Sequence, residues 1–482
     1  MSTISSHTTS SSKTTNQHET ATRIERDSLG EVAVPVSALY GAQTQRAVDN
    51  FHISGRGMPP LFIEALALIK QAAARANQDL ELLNPKVAEA ISQAADKIIA
   101  GEHHDQFPVD VYQTGSGTSS NMNMNEVLAH LATEALGEAV HPNDDINLGQ
   151  SSNDIIPSAL HLSVALQLDR QLLPALKMLE KALADKTAEV GQIAKTGRTH
   201  LMDAMPVTFA QELGGWQAQI SSARERLQQD REELHALALG GTAVGTGINA
   251  HPDHAAKTCR YLSEATGLTL KPADNRFMAL SSQDPAVSHA SSLKRLAVAL
   301  MKIANDLRWM NSGPLAGLGE IALPALQPGS SIMPGKVNPV IPEAVTMAAA
   351  QVMGLEQAIT VAGQAGNFQL NVMLPLVGDN LLHMQSLMAH AAEHLAEKAI
   401  AGFEVREDVI QHALGRNPIL VTALNPIIGY QKAAEIAKKA YAENRPIIEM
   451  AEAMTDMDRA TLERLLDPAH LVQHRISPMS RG

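Results

Sequence analysis

Leu293-Lys-Arg-Leu-Ala-Val-Ala-Leu-Met-Lys-Ile-Ala-Asn-Asp-Leu307 places aliphatic residues at 293, 296, 300, 303 and 307, in steps of three, four, three and four. An α-helix turns once in about 3.6 residues, so this spacing lays the side chains along one stripe, the seam of packed, nearly antiparallel helices. Leu172, Leu176, Leu179 and Leu183 step by four, three and four. Ile220, Ala223, Leu227, Leu234 and Leu237 keep the same seven-residue frame, with Asp230 interrupting it. Two more segments, Ile341 to Ala365 and Leu381 to Ala401, are long and apolar enough to join them. The spacing predicts an all-α fold built on a bundle of about five long helices, the first kinked at Pro174.

Composition points the same way. Hydrophobic residues make up 45% of the chain but aromatics only 3%, and Ala and Leu recur throughout, which suits helices better than a sheet rich in Val, Ile, Tyr and Phe. The 482 residues exceed the roughly 250 to 300 at which one core stops growing, so several domains are expected. We divide the chain into a disordered tail (1–21), an N-terminal domain (22–148), a central helical bundle (149–407) and a C-terminal domain (408–482). Glu31 to Val36 reads as a short strand or extended arm, and Leu61 to about Ala100 as two helices turning at Asn84-Pro85. Gly101 to Asn153 reads as functional loops joined by one helix, Glu126 to Leu136, and a further helix is expected over Ala210 to Leu239. From Val405 short helices are punctuated by Asn417-Pro418, Asn425-Pro426 and Arg445-Pro446. Several long helices are apolar around much of their circumference, which predicts burial against other copies in a homo-oligomer.

The net charge of -13 argues against nucleic acid or an anionic membrane surface as partner, since both need a basic footprint. A single cysteine, Cys259, excludes an internal disulfide framework and any thiolate metal cluster, and fits a reducing compartment. Met1 to Thr20 has no apolar core like that of a signal peptide, and Lys13 is its only Lys or Arg, so the expected location is the cytoplasm. No metal ligand set stands out and no cofactor is expected.

Four polar clusters interrupt the apolar scaffold: Thr114-Gly-Ser-Gly-Thr-Ser-Ser-Asn121, Gln150-Ser-Ser-Asn-Asp154, Gly197-Arg-Thr-His-Leu-Met-Asp203 and Pro328-Gly-Ser-Ser-Ile-Met-Pro-Gly-Lys-Val-Asn-Pro339. Singly, Ser and Asn before a helix are usually caps and Gly-Ser runs are usually turns. Jointly they supply small hydroxyl and amide donors that can converge on a planar carboxylate. The fourth is the most informative: two Gly–Pro corners flank a Ser pair, with Lys336, Asn338 and Glu343 close behind, as in a hinged loop that closes over a substrate. A lone histidine such as His200 is more often structural, and only its company singles it out.

Gly329-Ser-Ser-Ile-Met-Pro-Gly-Lys-Val-Asn-Pro339 resembles the signature of the fumarase/aspartase superfamily, and specifically of class II fumarase. The likeness runs from about Arg23 to the C-terminus and includes Tyr40-Gly-Ala-Gln-Thr-Gln-Arg46, Thr114 to Asn125, Gly197 to Glu212 and Gly366-Asn-Phe-Gln-Leu-Asn371. It implies a three-domain helical subunit, a homotetramer with each active site shared by three subunits, and the reversible hydration of fumarate to L-malate, a step of the tricarboxylic acid cycle. It also implies roles. Ser330 would take the proton from malate C3. His200, paired with Glu343, would handle the departing or attacking water. Ser116, Gly117, Thr118, Ser151, Ser152, Asn153, Thr199, Ser331, Lys336, Val337 and Asn338 would line the substrate. A second dicarboxylate site of the family falls on His141, Pro142, Asn143 and Asp144; basic residues often precede that turn in relatives, whereas here Glu138 does, so a structural turn and a binding site both stay open. Aspartate ammonia-lyase is the alternative activity, but aspartases typically carry Gln at the position of His200 and Ala at that of Gly335. A helical assembly without catalysis is the alternative from another class.

Overall fold

The computed structural model describes residues 21–472, so the tail expected over 1–21 lies, apart from Ala21, outside the described residues. The chain opens with an antiparallel hairpin, β1 (Thr22–Asp27) and β2 (Gly30–Pro35). Three helices follow, α1 (Ala42–Asn50), α2 (Pro60–Asp79) and α3 (Pro85–Ile99). Asn84 caps α3 by accepting from the Lys86 N–H, and Pro85 fills the first position, where no N–H is needed. Helix α4 (Thr118–Leu136) starts eight residues before the expected Glu126. Its first turns are built from Ser and Asn, which mask the helical period, but they are buried, and Gly117 in the left-handed region starts the helix.

The long helices then run alternately up and down. The first is a continuous rod of α5 (Ser152–Gln167), a π-turn over 168–172 and α6 (Leu173–Val190). The expected break at Pro174 takes the form of that π-turn, in which the Leu173 N–H reaches back to the Leu168 carbonyl. A hairpin, β3 (Ala194–Thr199) and β4 (Met202–Thr208), leads into α7 (Phe209–Leu234), which opens with a Thr208/Gln211 capping box. Helix α7 stops five residues short of the expected Leu239. Leu237 keeps the heptad frame and is buried, but it sits in a two-residue strand paired with Pro272. Then come α8 (His254–Thr266), α9 (Arg276–Ser281) and the seam helix α10 (Asp284–Met310). Helices α11 (Val340–Gly363) and α12 (Leu374–Leu395) complete the bundle.

Every seam residue read from the sequence is buried, from Leu172 through Ile220 and Leu227 to Leu293, Leu300 and Leu307. They belong to one hydrophobic core reaching from Val34 to Ile410, and a smaller core gathers Leu420, Ile436, Met450 and Leu462 from the short terminal helices. Among the described residues no helix is long and apolar enough to cross a membrane.

Candidate active site

The antiparallel course of the bundle sorts the candidate residues into two groups. At one end, where α5 begins and α10 begins, the loop Thr114–Gly117 meets the segment before α12: the Leu374 N–H donates to the Gly115 carbonyl at 3.0 Å. A Cβ on Gly115 would lie 1.8 Å from the Val372 carbonyl oxygen, and one on Gly117 2.8 Å from Ile156, so only glycine permits this approach. The Ser116 and Thr118 hydroxyls are 2.9 Å apart. Beside them Ser151 caps α5, with Asp154 returning a bond to the Ser151 N–H at 2.9 Å. Asn121 Nδ2 donates to Ser152 Oγ at 3.0 Å and Asn153 Nδ2 to the Ala243 carbonyl at 2.8 Å. The structure therefore brings Ser116, Gly117, Thr118, Ser151, Ser152 and Asn153 together around the starts of α4 and α5.

Beneath them lie side chains of which the sequence clusters include Asp154 and Asn121 but neither Lys70 nor Asn147. The Asp154 carboxylate also accepts from the Gly240 and Thr242 N–H groups, at 3.0 and 2.9 Å. Burial raises its pKa to about 6, against these donors and the field of Lys70. Asn147 Oδ1 is a hub that accepts from Lys70 Nζ, Asn121 Nδ2 and Asn125 Nδ2. The only trace in the sequence is polar residues recurring where an apolar core is expected.

At the opposite end stands the β3–β4 hairpin. Arg198 pairs with Asp203 and Thr199 with Met202, leaving His200 and Leu201 as a two-residue turn with both φ values positive, 56° and 59°. Leucine rarely takes that conformation, so the turn stores backbone strain, and no Asn-Gly signal announced the hairpin. Thr199 and His200 are exposed at its tip. Its base is fixed by a buried charge cluster: Lys195 Nζ lies 2.7 Å from Glu212 and 2.9 Å from Glu320, and Arg198 lies 2.7 Å from Glu320.

The Pro328–Pro339 loop also belongs to this end, between α10 and α11. Ser330 Oγ accepts the N–H groups of Ile332 and Met333 at 3.2 and 3.0 Å. The loop is closed by Gly329 N–H to the Lys336 carbonyl and by Asn338 Nδ2 to the Gly329 carbonyl, both 2.8 Å. Ser330, Lys336 and Val337 border an open cavity of about 510 Å³, while Ser331 is exposed and Glu343 sits in the first turn of α11. Among the described residues no hydrogen bond or ion pair joins His200 to Glu343 or to Ser330.

The two groups do not meet within one chain. The 27 residues of α10 span about 40 Å at about 1.5 Å each. Lys195 Nζ touches Met310 Sδ (3.1 Å) at the end of α10, whereas Gly363 packs on Val287 near its start, beside the Gly115 side of the molecule. Thr199, His200, Ser330, Ser331, Lys336, Val337, Asn338 and Glu343 thus lie a bundle's length from Ser116 and Ser152.

The His141-Pro-Asn-Asp144 turn is held by its own bonds. His141 Nδ1 accepts the Asn143 and Asp144 N–H groups at 3.3 and 3.2 Å, and the His141 N–H donates to Asp145 at 2.7 Å. The adjoining cavity of about 680 Å³ is lined by His130, Arg23 and Arg26 but also by Glu25, Asp27 and Glu134. Arg23 is already committed to the carbonyls of Pro35, Ala38 and Tyr40.

A family described as Lyase matches residues 30–354, and one described as Fumarase C C-terminus matches residues 420–473. The chain is 62% identical over 452 residues to "Fumarate hydratase class II 2" of Pseudomonas aeruginosa, covering 94% of this chain and 99% of that protein. It is 57% identical to "Fumarate hydratase class II" of Xylella fastidiosa, covering 95% and 97%. A crystal structure of class II fumarase from Schistosoma mansoni superposes with a TM-score of 0.92 at 36% identity, over 94% of this chain and 99% of that one. With the helical bundle, the capped Ser151–Asp154 start and the Ser330 loop all in place, these matches establish that the chain belongs to the class II fumarate hydratase family.

Proposed function

We propose that the protein hydrates fumarate reversibly to L-malate, by anti addition through an aci-carboxylate intermediate, at sites formed between subunits of a cytoplasmic homotetramer. The observation that carries this reading is the split of the family's motif residues into two groups at opposite ends of the bundle. One group holds the hydroxyls and amides of 116–118 and 151–153; the other holds Ser330, Lys336, Asn338, His200 and Glu343. Each is half of a dicarboxylate site, and antiparallel packing of copies brings opposite ends together, with three subunits contributing to each site. Helix α11 supports the assembly: it has two charged residues, Glu343 and Glu356, and leaves Met347, Gly354 and Val361 exposed at seven-residue intervals.

In the malate-to-fumarate direction, Ser330 Oγ removes the C3 proton and the electron pair moves into the neighbouring carboxylate, which becomes the aci-carboxylate dianion. Lys336 and the amide donors stabilise that charge, the largest catalytic contribution expected. Serine is a weak base, and the Ile332 and Met333 N–H groups pointing at Oγ favour its alkoxide. The intermediate then expels the C2 hydroxyl, which leaves as water with a proton delivered through His200 and Glu343.

The test is loss of fumarate's ultraviolet absorbance with appearance of malate. Ammonia release from aspartate, with no hydration, would assign the chain to aspartate ammonia-lyase instead. A dicarboxylate at His141–Asp144 is the weaker proposal, because the turn is self-capped and acidic residues surround its cavity. A His141→Asn variant with unchanged kinetics would remove it.

A further inference from the structure

Lys70 lies in the middle of α2 and is completely buried. Its ammonium donates to Asn147 Oδ1 and to Gln150 Oε1, both at 2.9 Å. No carboxylate among the described residues comes within 4.0 Å of it, unlike the buried Lys186 and Lys195, which each hold a glutamate at 2.7 to 2.9 Å. A buried cation without a touching counter-ion is costly, and it persists where something else uses its field.

The two acceptors identify what that is. Asn147 and Gln150 form the turn immediately before Ser151, and Asn147 Nδ2 donates to the Gln150 carbonyl at 3.2 Å. Asn121 Nδ2 bridges Asn147 Oδ1, at 3.2 Å, and Ser152 Oγ, at 3.0 Å. Lys70 thus reaches the Ser151–Asn153 segment through one intervening layer of amides. Asp154, the nearest influential carboxylate, has its oxygens occupied by the N–H groups of Ser151, Gly240 and Thr242. Burial pulls the Lys70 ammonium down to about 7, with Asp154 opposing, and a carboxylate bound nearby favours the charged form, so the full charge belongs to the substrate-bound state.

We propose that Lys70 is a positioning residue for substrate binding: through Asn147, Gln150 and Asn121 it fixes the Ser151–Asn153 segment, and its unpaired charge is completed by the carboxylate of the dicarboxylate substrate held there. This rests on the hydratase reading and adds a long-range cation from the N-terminal helices to the site. The charge that develops on the reacting carboxylate is met by Lys336 in the other half-site, whereas the carboxylate on the Lys70 side keeps the same charge from bound substrate to transition state. Removing Lys70 therefore weakens binding and leaves the chemical step alone.

The experiment is steady-state hydration of fumarate by the full chain carrying Lys70→Met, together with competitive inhibition by succinate. For a unit charge acting over roughly 10 Å at an effective dielectric of about 20, KM and the succinate Ki each rise about tenfold, while kcat stays within about twofold. Asn125→Asp is the second variant. It keeps Lys70 and the side-chain volume but sets a carboxylate on the Asn147 hub, where Asn125 Nδ2 now lies at 3.3 Å, and KM rises likewise. An assembled variant with wild-type KM, or one losing kcat at unchanged KM, overturns the proposal; if Lys70→Met does not assemble, Asn125→Asp decides alone. Failure of the wild-type chain to hydrate fumarate would instead remove the hydratase reading itself.

Discussion

Replacing Glu320 by alanine strikes the joint that holds the His200 hairpin to the bundle. Glu320 is 3% exposed and its two oxygens face different cations, Arg198 at 2.7 Å and Lys195 at 2.9 Å, the second an ion contact out of line for a hydrogen bond. With Glu212 the cluster holds two positive and two negative charges. Without Glu320 a buried positive charge is uncompensated: Lys195 keeps only Glu212, and Arg198 keeps a 3.4 Å contact to the Thr196 carbonyl. Breaking such a buried pair costs about 3 to 5 kcal/mol. For a chain this long, with an unfolding entropy of about 2 cal/mol/K per residue, that lowers Tm by roughly 3 to 5 °C. The functional loss is larger in proportion, since a hairpin tip displaced by about 1 Å costs about a hundredfold in rate. Fumarate absorbance measures kcat/KM, circular dichroism gives Tm, and Glu320→Gln, which keeps the shape but not the charge, falls between. Wild-type kcat/KM and Tm in Glu320→Ala would refute the claim that this cluster positions His200.

Ser330→Ala and His200→Asn each lower kcat by about two to four orders of magnitude without changing Tm, because neither side chain is buried; a wild-type rate in either rejects that residue's role. Asp110 accepts from the N–H groups of Ser54, Gly55 and Tyr112, and although burial opposes ionisation these donors win and hold its pKa at about 2. A folded-state pKa below the unfolded one stabilises at neutral pH and is lost as pH falls from about 4 through about 2, so Asp110→Asn costs about 2 kcal/mol at pH 7 and flattens the acid limb of the stability curve. Leu300→Ala, in the centre of the α10 seam, costs about 2 to 5 kcal/mol in denaturant unfolding.

The long helices were legible because their period is physical: a residue every three or four positions must be apolar to close the bundle, and Leu172 to Leu183 and Leu293 to Leu307 say so directly. Boundaries were less legible where burial and helicity part company. Leu237 continues the apolar frame past the end of α7, and Thr118 to Asn125 is helical but largely polar because its buried Ser and Asn side chains are hydrogen-bonded to Gln113, Asn147 and Ser152. Of the site, the residues on the family's motifs were readable, including the Ser330 loop. Lys70, Asn147 and the Lys195–Glu320 cluster were not, since a buried charge looks in sequence like any surface charge until its partners, here up to 125 positions away, are known.

The proposed activity requires that a working site take its two halves from different chains. Ser152→Asp sets a carboxylate in the proposed substrate position at one end of the bundle, and His200→Asn removes the group proposed to handle water at the other, so each variant on its own is expected to be inactive. Co-expressed in equal amounts, the two variants restore intact sites wherever a wild-type His200 end meets a wild-type Ser152 end, about a quarter of all sites under random assembly. Hydration of fumarate at about a quarter of the wild-type rate per site is the predicted result. Hybrid oligomers verified by mass spectrometry, yet as inactive as either parent, would contradict it.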